Sequence, residues 1–167
     1  VVRVPVEIET EGAAGGRVDL HWNGGIIGSA DVVDGQAVVE GPRRVLLPKS
    51  YRVLVRYSGD ATTQAADGGV TIQVGKARTN LLLSATQPLP AGRSGTLTIR
   101  IGNSSGFPAT GWVNVVYGGK AFRVFAVRGL ATVTLQPGRT GTHRASVYYE
   151  GSGTVSPAFG VLSIRVG

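Results

Sequence analysis

The sequence predicts an all-β chain made of two β-sandwich domains in tandem, the first lacking its N-terminal strand. Three observations carry that expectation. Apolar and polar residues alternate with period two through most of the chain, turn-forming pairs separate the alternating stretches, and similar text returns 92 residues later.

The alternation places the elements in order. "VRVPVEIET" sets Val4, Val6 and Ile8 on one face, with Glu7, Glu9 and Glu11 alternating outward as a solvated face. "GRVDLHWNG" sets Val18, Leu20 and Trp22 on one face, opposite Asp19 and His21. "YRVLVRY" aligns Tyr51, Val53, Val55 and Tyr57, opposite Arg52 and Arg56. "VTIQVG" adds Val70, Ile72 and Val74. Turn signals stand at Gly15-Gly16, Asn23-Gly24, Asp34-Gly35, Ser58-Gly59-Asp60 and Asp67-Gly68. No stretch of ten residues has helical periodicity. Short strands with turns at this spacing argue for a sandwich or barrel.

The repeat then organises the chain. With Gly59 set on Gly151, Tyr57 meets Tyr149, Val55 meets Val147, Arg52 meets Arg144 and Tyr51 meets His143. The register runs on without a gap to Gly68 and Gly160, Ile72 and Ile164, and Val74 and Val166. Upstream, with small length changes, Val18, Leu20 and Trp22 meet Val113, Val115 and Tyr117, and Val4, Val6 and Ile8 meet Leu97, Ile99 and Ile101. A one-residue slip would invert every face, so a kept phase means a repeated structure. The boundary falls near Gly75–Ala77, giving domains 1–75 and 76–167, and the short "GKA" junction predicts a semi-rigid, elongated pair. The second copy opens with "KARTNLLLSATQPLPAGRSG", a strand around Leu81 and Leu83, a Pro-rich corner and a Gly turn; the first copy has no such text. Two explanations stand open: an excerpt of a longer array cut inside a domain, or a first strand supplied by another chain.

Composition sets the bounds. Of 167 residues, 26 are Gly and 8 are Pro, spread between apolar stretches, which implies many turns and no disordered block. At 42% apolar residues a core is available, and no apolar run approaches the roughly 18 residues of a membrane span. No secretory leader is recognisable, so the sequence reads as a mature form or an excerpt. The absence of Cys removes disulfides, thiolate zinc sites and Cys nucleophiles. The net charge of +7 comes mostly from 14 Arg, scattered singly, a pattern that a GC-rich coding source explains without a partner.

These residues resemble the bacterial immunoglobulin-like repeats that stand in tandem on large secreted and surface proteins. The family text "L-P-x-G-x-Y-x-V-x-A-x-Y-x-G-D", with a closing V-x-V strand, is matched by "LPKSYRVLVRYSGD" with "VTIQVG", and by "TGTHRASVYYEGS" with "LSIRVG". The second copy departs at His143, where the family has Tyr, and at Ser152, where it has Asp. The resemblance covers nearly the whole chain and implies two disulfide-free, Greek-key immunoglobulin-like sandwiches. In such sandwiches a Tyr two residues ahead of a core position bonds back to the corner before it. Tyr51 with Val53 fits that spacing, and the imidazole of His143 can donate the same kind of bond. Tyr51, Val53, Tyr57, Gly59, His143, Tyr149 and Gly151 are therefore read as structural. Domains this small bury only about 60% of their unfolded surface, so the aliphatic faces must supply most of the stability.

Chemistry is sparse. His21 and His143 lie in different copies, without metal spacing. Asp31, Asp34, Asp60 and Asp67 sit near turns, where calcium is conceivable, but no D-x-D-x-D-G loop exists. No acid pair, G-x-S-x-G elbow or phosphate loop appears. "GGK" at 118–120 reads as a hairpin turn, and the sequon Asn103-Ser104-Ser105 as a loop. The expectation is no enzyme, no catalytic residue, no metal and no cofactor. Trp112 is outward beside Asn114, and Phe122 and Phe125 lie on opposite faces of the next strand. With Arg123 they form the candidate ligand-binding set.

The function expected from the resemblance is a non-catalytic structural spacer, stalk or adhesion module of an exported bacterial protein at the cell surface or outside the cell. Its partners would be neighbouring immunoglobulin-like domains of the same parent chain. An alternative is an accessory module that binds carbohydrate or an anionic cell-wall polymer in a secreted enzyme or adhesin. A second alternative is self-association by strand donation at the open edge of the first domain. Arg52, Arg56, Arg100, Arg123, Arg128 and Arg144, outward by parity, would attract polyanions, but base readout of nucleic acid has no support.

Overall fold

The computed structural model describes residues 3–10, 12–41, 46–136 and 138–167; Glu11, placed on the outward face by the alternation, lies outside them. The described residues form thirteen strands and no helix. The chain divides into two compact units, Val1–Gly75 and Lys76–Gly167.

Unit 1 contains β1 (Arg3–Glu7), β2 (Arg17–Trp22), β3 (Gly25–Asp31), β4 (Gln36–Glu40), β5 (Ser50–Tyr57) and β6 (Ala66–Gln73). Its two sheets are β1-β4 and β3-β2-β5-β6. Unit 2 contains β7 (Thr79–Ala85), β8 (Gly95–Asn103), β9 (Gly111–Tyr117), β10 (Lys120–Ala126), β11 (Leu130–Leu135), β12 (Gly141–Tyr149) and β13 (Ala158–Val166). Its sheets are β11-β8-β7 and β10-β9-β12-β13. All strand pairs are antiparallel, and the four-stranded sheets of the two units follow the same order. This is the immunoglobulin-like sandwich. Unit 1 has a two-stranded sheet where unit 2 has three strands, because nothing among its described residues occupies the place of β7.

Alternation does the folding. Along β9 the burial runs strictly in and out, with Val113, Val115 and Tyr117 inside and Trp112 and Val116 outside. A pleated strand sends successive side chains to opposite faces, so burying one set exposes the other. The inward sets of both sheets form the unit 2 core around Leu97, Ile99, Val133, Leu135, Val147, Tyr149 and Ile164. The unit 1 core is smaller and centres on Val18, Leu20, Val39, Tyr51, Val53 and Tyr57. Fully burying each such aliphatic contributes on the order of 1.5–3 kcal/mol.

β7 changes sides. It pairs with β8 from Thr79–Asn103 to Ala85–Leu97. After the cis Gln87–Pro88 bond, the chain moves to the edge of β13. There the Leu89 amide donates to the Arg165 carbonyl at 2.8 Å, and the Ala91 amide to the Gly167 carbonyl at 3.0 Å. Leu89 itself is 1% exposed and closes one end of the core. One segment thereby covers an edge of each sheet, the standard hazard of an open sandwich.

One sequence expectation fails. Asp67-Gly68, read as a turn, lies inside β6, where Asp67 pairs with Arg56 and Gly68 with Val55. Both glycines, Gly68 and Gly69, take ordinary strand conformation, so the pair that signals a turn in sequence here only removes side chains. The other pairs do turn the chain: Asn23, Gly24, Asp34, Gly35 and Gly59 all have positive φ. Gly118 and Gly119 form the β9–β10 hairpin.

Candidate functional site

The structural residues fall at two kinds of corner, each built twice. Tyr51 Oη donates to the Leu47 carbonyl at 2.9 Å. His143 Nε2 lies 2.6 Å from the Arg139 carbonyl, four residues back in both cases. A carbonyl can only accept, so Nε2 carries the proton. Each corner residue meets an aromatic ring edge-on. Trp22 and Tyr51 stand 5.2 Å apart at 74°, and Tyr117 and His143 stand 6.1 Å apart at 66°. At the other end of the same strands, Tyr57 Oη donates to the Gly15 carbonyl and Tyr149 Oη to the Thr110 carbonyl. Val53 and its counterpart Ala145 are buried between these two anchors. Gly59 and Gly151 follow at φ 74° and 84°, a region that disfavours any residue with a Cβ.

The turn after Tyr57 carries the most perturbed acid among the described residues. Asp60 accepts from the Gly15, Thr62 and Thr63 amides at 2.6, 2.8 and 2.7 Å. These backbone bonds, that of Gly15 foremost, hold its carboxyl far below the usual carboxylate range. Ser152 takes the same place in unit 2 and accepts only from Thr154 and Val155. Asp60 is thus occupied by its own backbone, and Asp67 faces Arg56 at 3.6 Å. Among the described residues no three His, Asp or Glu side chains group as metal ligands would.

The candidate binding residues lie on the outer face of the β10-β9-β12-β13 sheet. Trp112 and Phe125 are cross-strand partners, with rings 5.1 Å apart at 75°. The Arg123 guanidinium sits over the Trp112 ring at 4.5 Å. It also reaches both Glu150 oxygens, at 3.1 and 3.2 Å, while Asn114 donates to Glu150 Oε1 at 2.8 Å. This exposed ion pair contributes little by itself, under about 1 kcal/mol. Its effect is to fix the arginine against the indole, a cation–π arrangement. Phe122 does not join this cluster. It faces the opposite way and packs against the core.

Two exposed aromatics belong to the same face and were not singled out from sequence. Tyr148 pairs with Asn114 on one side and Phe159 on the other. Parity holds the signal, since Tyr148 falls between inward Val147 and Tyr149, and Phe159 lies opposite it. With Trp112, Phe125, Val116 and Val161 they form a face of large side chains, each more than two-fifths exposed. The indole is flanked by its own arginine and phenylalanine, and Phe159, at 66% exposure, is the most open ring of the face.

No family model matches the chain, and no curated protein matches it. Among solved structures it is similar to the fibronectin(III)-like modules of Clostridium thermocellum CbhA, with a TM-score of 0.42 and 11% identity over 98% of this chain and 85% of that one.

Proposed function

We propose that the chain is a non-catalytic spacer or adhesion module of an exported bacterial surface protein, flanked by further immunoglobulin-like domains of its parent. The observation that carries this reading is the duplication of both corner bonds. Tyr51 and His143 tie back four residues, and Tyr57 and Tyr149 tie across to the loops that lead into β2 and β9, in each case to backbone carbonyls. Chemistry is spent twice on holding the same sandwich, and the polar groups around Trp112 are satisfied by one another. Pulling the chain from its two ends tests the load-bearing part: two separate unfolding events are expected, and extension without discrete events ends the spacer reading. Antibodies raised against the chain test the location. They label intact cells if it is displayed, and only permeabilised cells if it is not.

A second reading, acceptance of a strand by unit 1, has its own observation. Gly160 lies beneath β7, and a Cβ there would meet Leu83 at 3.2 Å and Leu81 at 3.5 Å. Gly68 holds the same place in unit 1, where a Cβ would meet nothing within 4 Å. Among the described residues, the place beside Gly160 is filled by an aliphatic strand and the place beside Gly68 is open, which supports a socket for such a strand in unit 1. A peptide copying residues 78–92 should bind unit 1 and raise the unfolding midpoint reported by Trp22. No binding, with Trp22 unaffected, removes this reading and leaves the spacer reading untouched.

A further inference from the structure

Unit 1 carries a shallow trough of about 780 Å³ on the outer face of β2, β5 and β6. The register lays His21 beside Leu54 and Leu54 beside Gly69, forming its floor. Arg52 and Arg56 flank Leu54 along β5. Lys49 closes one end, its Nζ 4.9 Å from the Tyr51 ring centre and 5.7 Å from that of Trp22.

Gly69 is the informative residue. A glycine inside a strand weakens it and marks a bulge, a bend or a close approach. Pairing of β5 with β6 runs through eight consecutive residues without a register shift, so no bulge is present. A Cβ at Gly69 would come no nearer than 3.9 Å to the Val53 carbonyl oxygen, so unit 1 itself does not need the space. In unit 2 the same place holds Val161, with its side chain outward. What Gly69 leaves open is room for something arriving from outside.

The charge says what arrives. Lys49, Arg52 and Arg56 line the trough, and among the described residues no carboxylate does. The acids nearby are already engaged: Asp67 lies 3.6 Å from Arg56, and Asp19 accepts from Arg17 and Ser29. Arg52 has no ion-pair partner among the described residues. Arg52 and Arg56 are four residues apart on an extended strand, about 13 Å. One carboxylate or sulfate cannot bridge that span, so the ligand is a chain with spaced anionic groups. The cations are sparse beside a nucleic-acid strand, which carries a charge about every 3.4 Å. Of the rings that line the trough, Trp22 and Tyr51 lie under Lys49, which leaves the His21 imidazole alone for a base to stack on. A peptide would use the unpaired main-chain edge of β6, whereas the trough is lined by side chains on the face of the sheet.

We propose that this trough binds an anionic polysaccharide, a sugar chain bearing carboxylates or sulfates at intervals. Arg52 and Arg56 take the anionic groups, Leu54 and the Gly69 backbone receive the ring between them, and Lys49 extends the cationic line past Arg52. The site belongs to unit 1 and the Trp112 face to unit 2, and the proposal stands whether or not the chain is a spacer. The test is calorimetric titration of the full chain with polygalacturonate, with dextran, polyglutamate and single-stranded DNA for comparison. The variants are Arg52→Gln, Gly69→Glu and, in unit 2, Arg144→Gln, each first shown to unfold like the parent. Polygalacturonate should bind, dextran should not, and binding should fall steeply between about 50 and 200 mM salt. Arg52→Gln and Gly69→Glu should each weaken it by about tenfold or more, the scale of one lost charged hydrogen bond. Arg144→Gln should leave it within about twofold, as an exposed charge outside the site. Absence of polygalacturonate binding overturns the proposal, as does an equal loss from Arg144→Gln, which would mean net charge alone. Tighter binding of DNA or polyglutamate than of polygalacturonate overturns the ligand class.

Discussion

The two units share one strand plan and differ in how far their cores are closed. Ile99, Val147, Ile164 and Val166 in unit 2 are buried, at 0–3% exposure. Their unit 1 counterparts, Val6, Val55, Ile72 and Val74, are only partly buried. The residues are of like type and lie in the same pleat phase, so the side chains do not make the difference. The cover does. β7 and Leu89 lie over the corresponding region of unit 2, and no described residue does so in unit 1. Burial in a small sandwich therefore depends on one edge segment as much as on the alternation within each strand.

Each unit carries one tryptophan, Trp22 or Trp112, so the units can be followed separately in one unfolding experiment. The comparison predicts that the Trp22 transition comes first. The largest effect should come from Leu89→Ala. It removes a fully buried side chain at the core end and should destabilise unit 2 by about 2–5 kcal/mol. Denaturant unfolding should show the Trp112 transition moving toward that of Trp22, with Trp22 unchanged. A loss below the Trp22 noise would mean that the edge segment does not close the core.

Acid should widen the gap between the units. The folded Asp60 carboxyl titrates below its unfolded value of about 3.9, and Asp19 is also lowered, first by Ser29 and then by Arg17. A depressed folded value gives stability that is complete above the unfolded value and lost as pH falls toward the folded one. The Trp22 midpoint should therefore drop below about pH 4. Asp60→Ser, which copies Ser152, should flatten that drop and lower unit 1 stability at neutral pH, because the Gly15 bond is gone. A Trp22 profile unchanged by Asp60→Ser would break this account.

The socket glycines give a smaller effect of opposite sign. Gly68→Ala enters open space in a strand and should stabilise unit 1 by about 0.5–1 kcal/mol. Gly160→Ala presses on Leu83 and Leu81 and should destabilise unit 2. Thermal melts of the two variants decide it, and equal shifts would show that the socket is not a socket. The smallest change should come from Tyr117→Phe. Tyr117 Oη is buried without a partner among the described residues, and burial pushes its phenol upward. Removing an unsatisfied hydroxyl should cost nothing and gain at most about 1 kcal/mol. A clear loss in the Trp112 melt would mean the hydroxyl is bonded in solution.

Most of the sandwich was legible because its strands alternate cleanly. β5 and β12 could be read residue by residue, and their 92-residue spacing exposed the repeat. β3, "GIIGSAD", was not legible, because small residues and an exposed Ile26 give no stripe. β6 was cut short for the opposite reason, since Asp67-Gly68 carries a strong turn signal that tertiary pairing with β5 overrides. Parity put Trp112 on the outer face and Phe122 and Phe125 on opposite faces of the next strand, and only the pairing of Phe125 with Trp112 tells which of the two joins it. Parity could not show that Arg123 bridges Trp112 and Glu150, because that contact needs the diagonal geometry of three strands. The trough was hidden for a similar reason. Its floor is the absence of a side chain at Gly69, visible only once Leu54 is known to lie beside it.

The His143 corner bears on how far such repeats can drift and still be recognised by eye. The bond to Arg139 asks for a ring-borne donor at one reach, and both phenol and imidazole supply it. Imidazole keeps its Nε2 hydrogen as the matching neutral tautomer and as the cation, so the clasp holds in either charge state. The position is therefore a chemical slot and not a letter. A search for relatives that accepts any aromatic donor here, two residues before a small buried aliphatic, would reach chains that a search for tyrosine passes over.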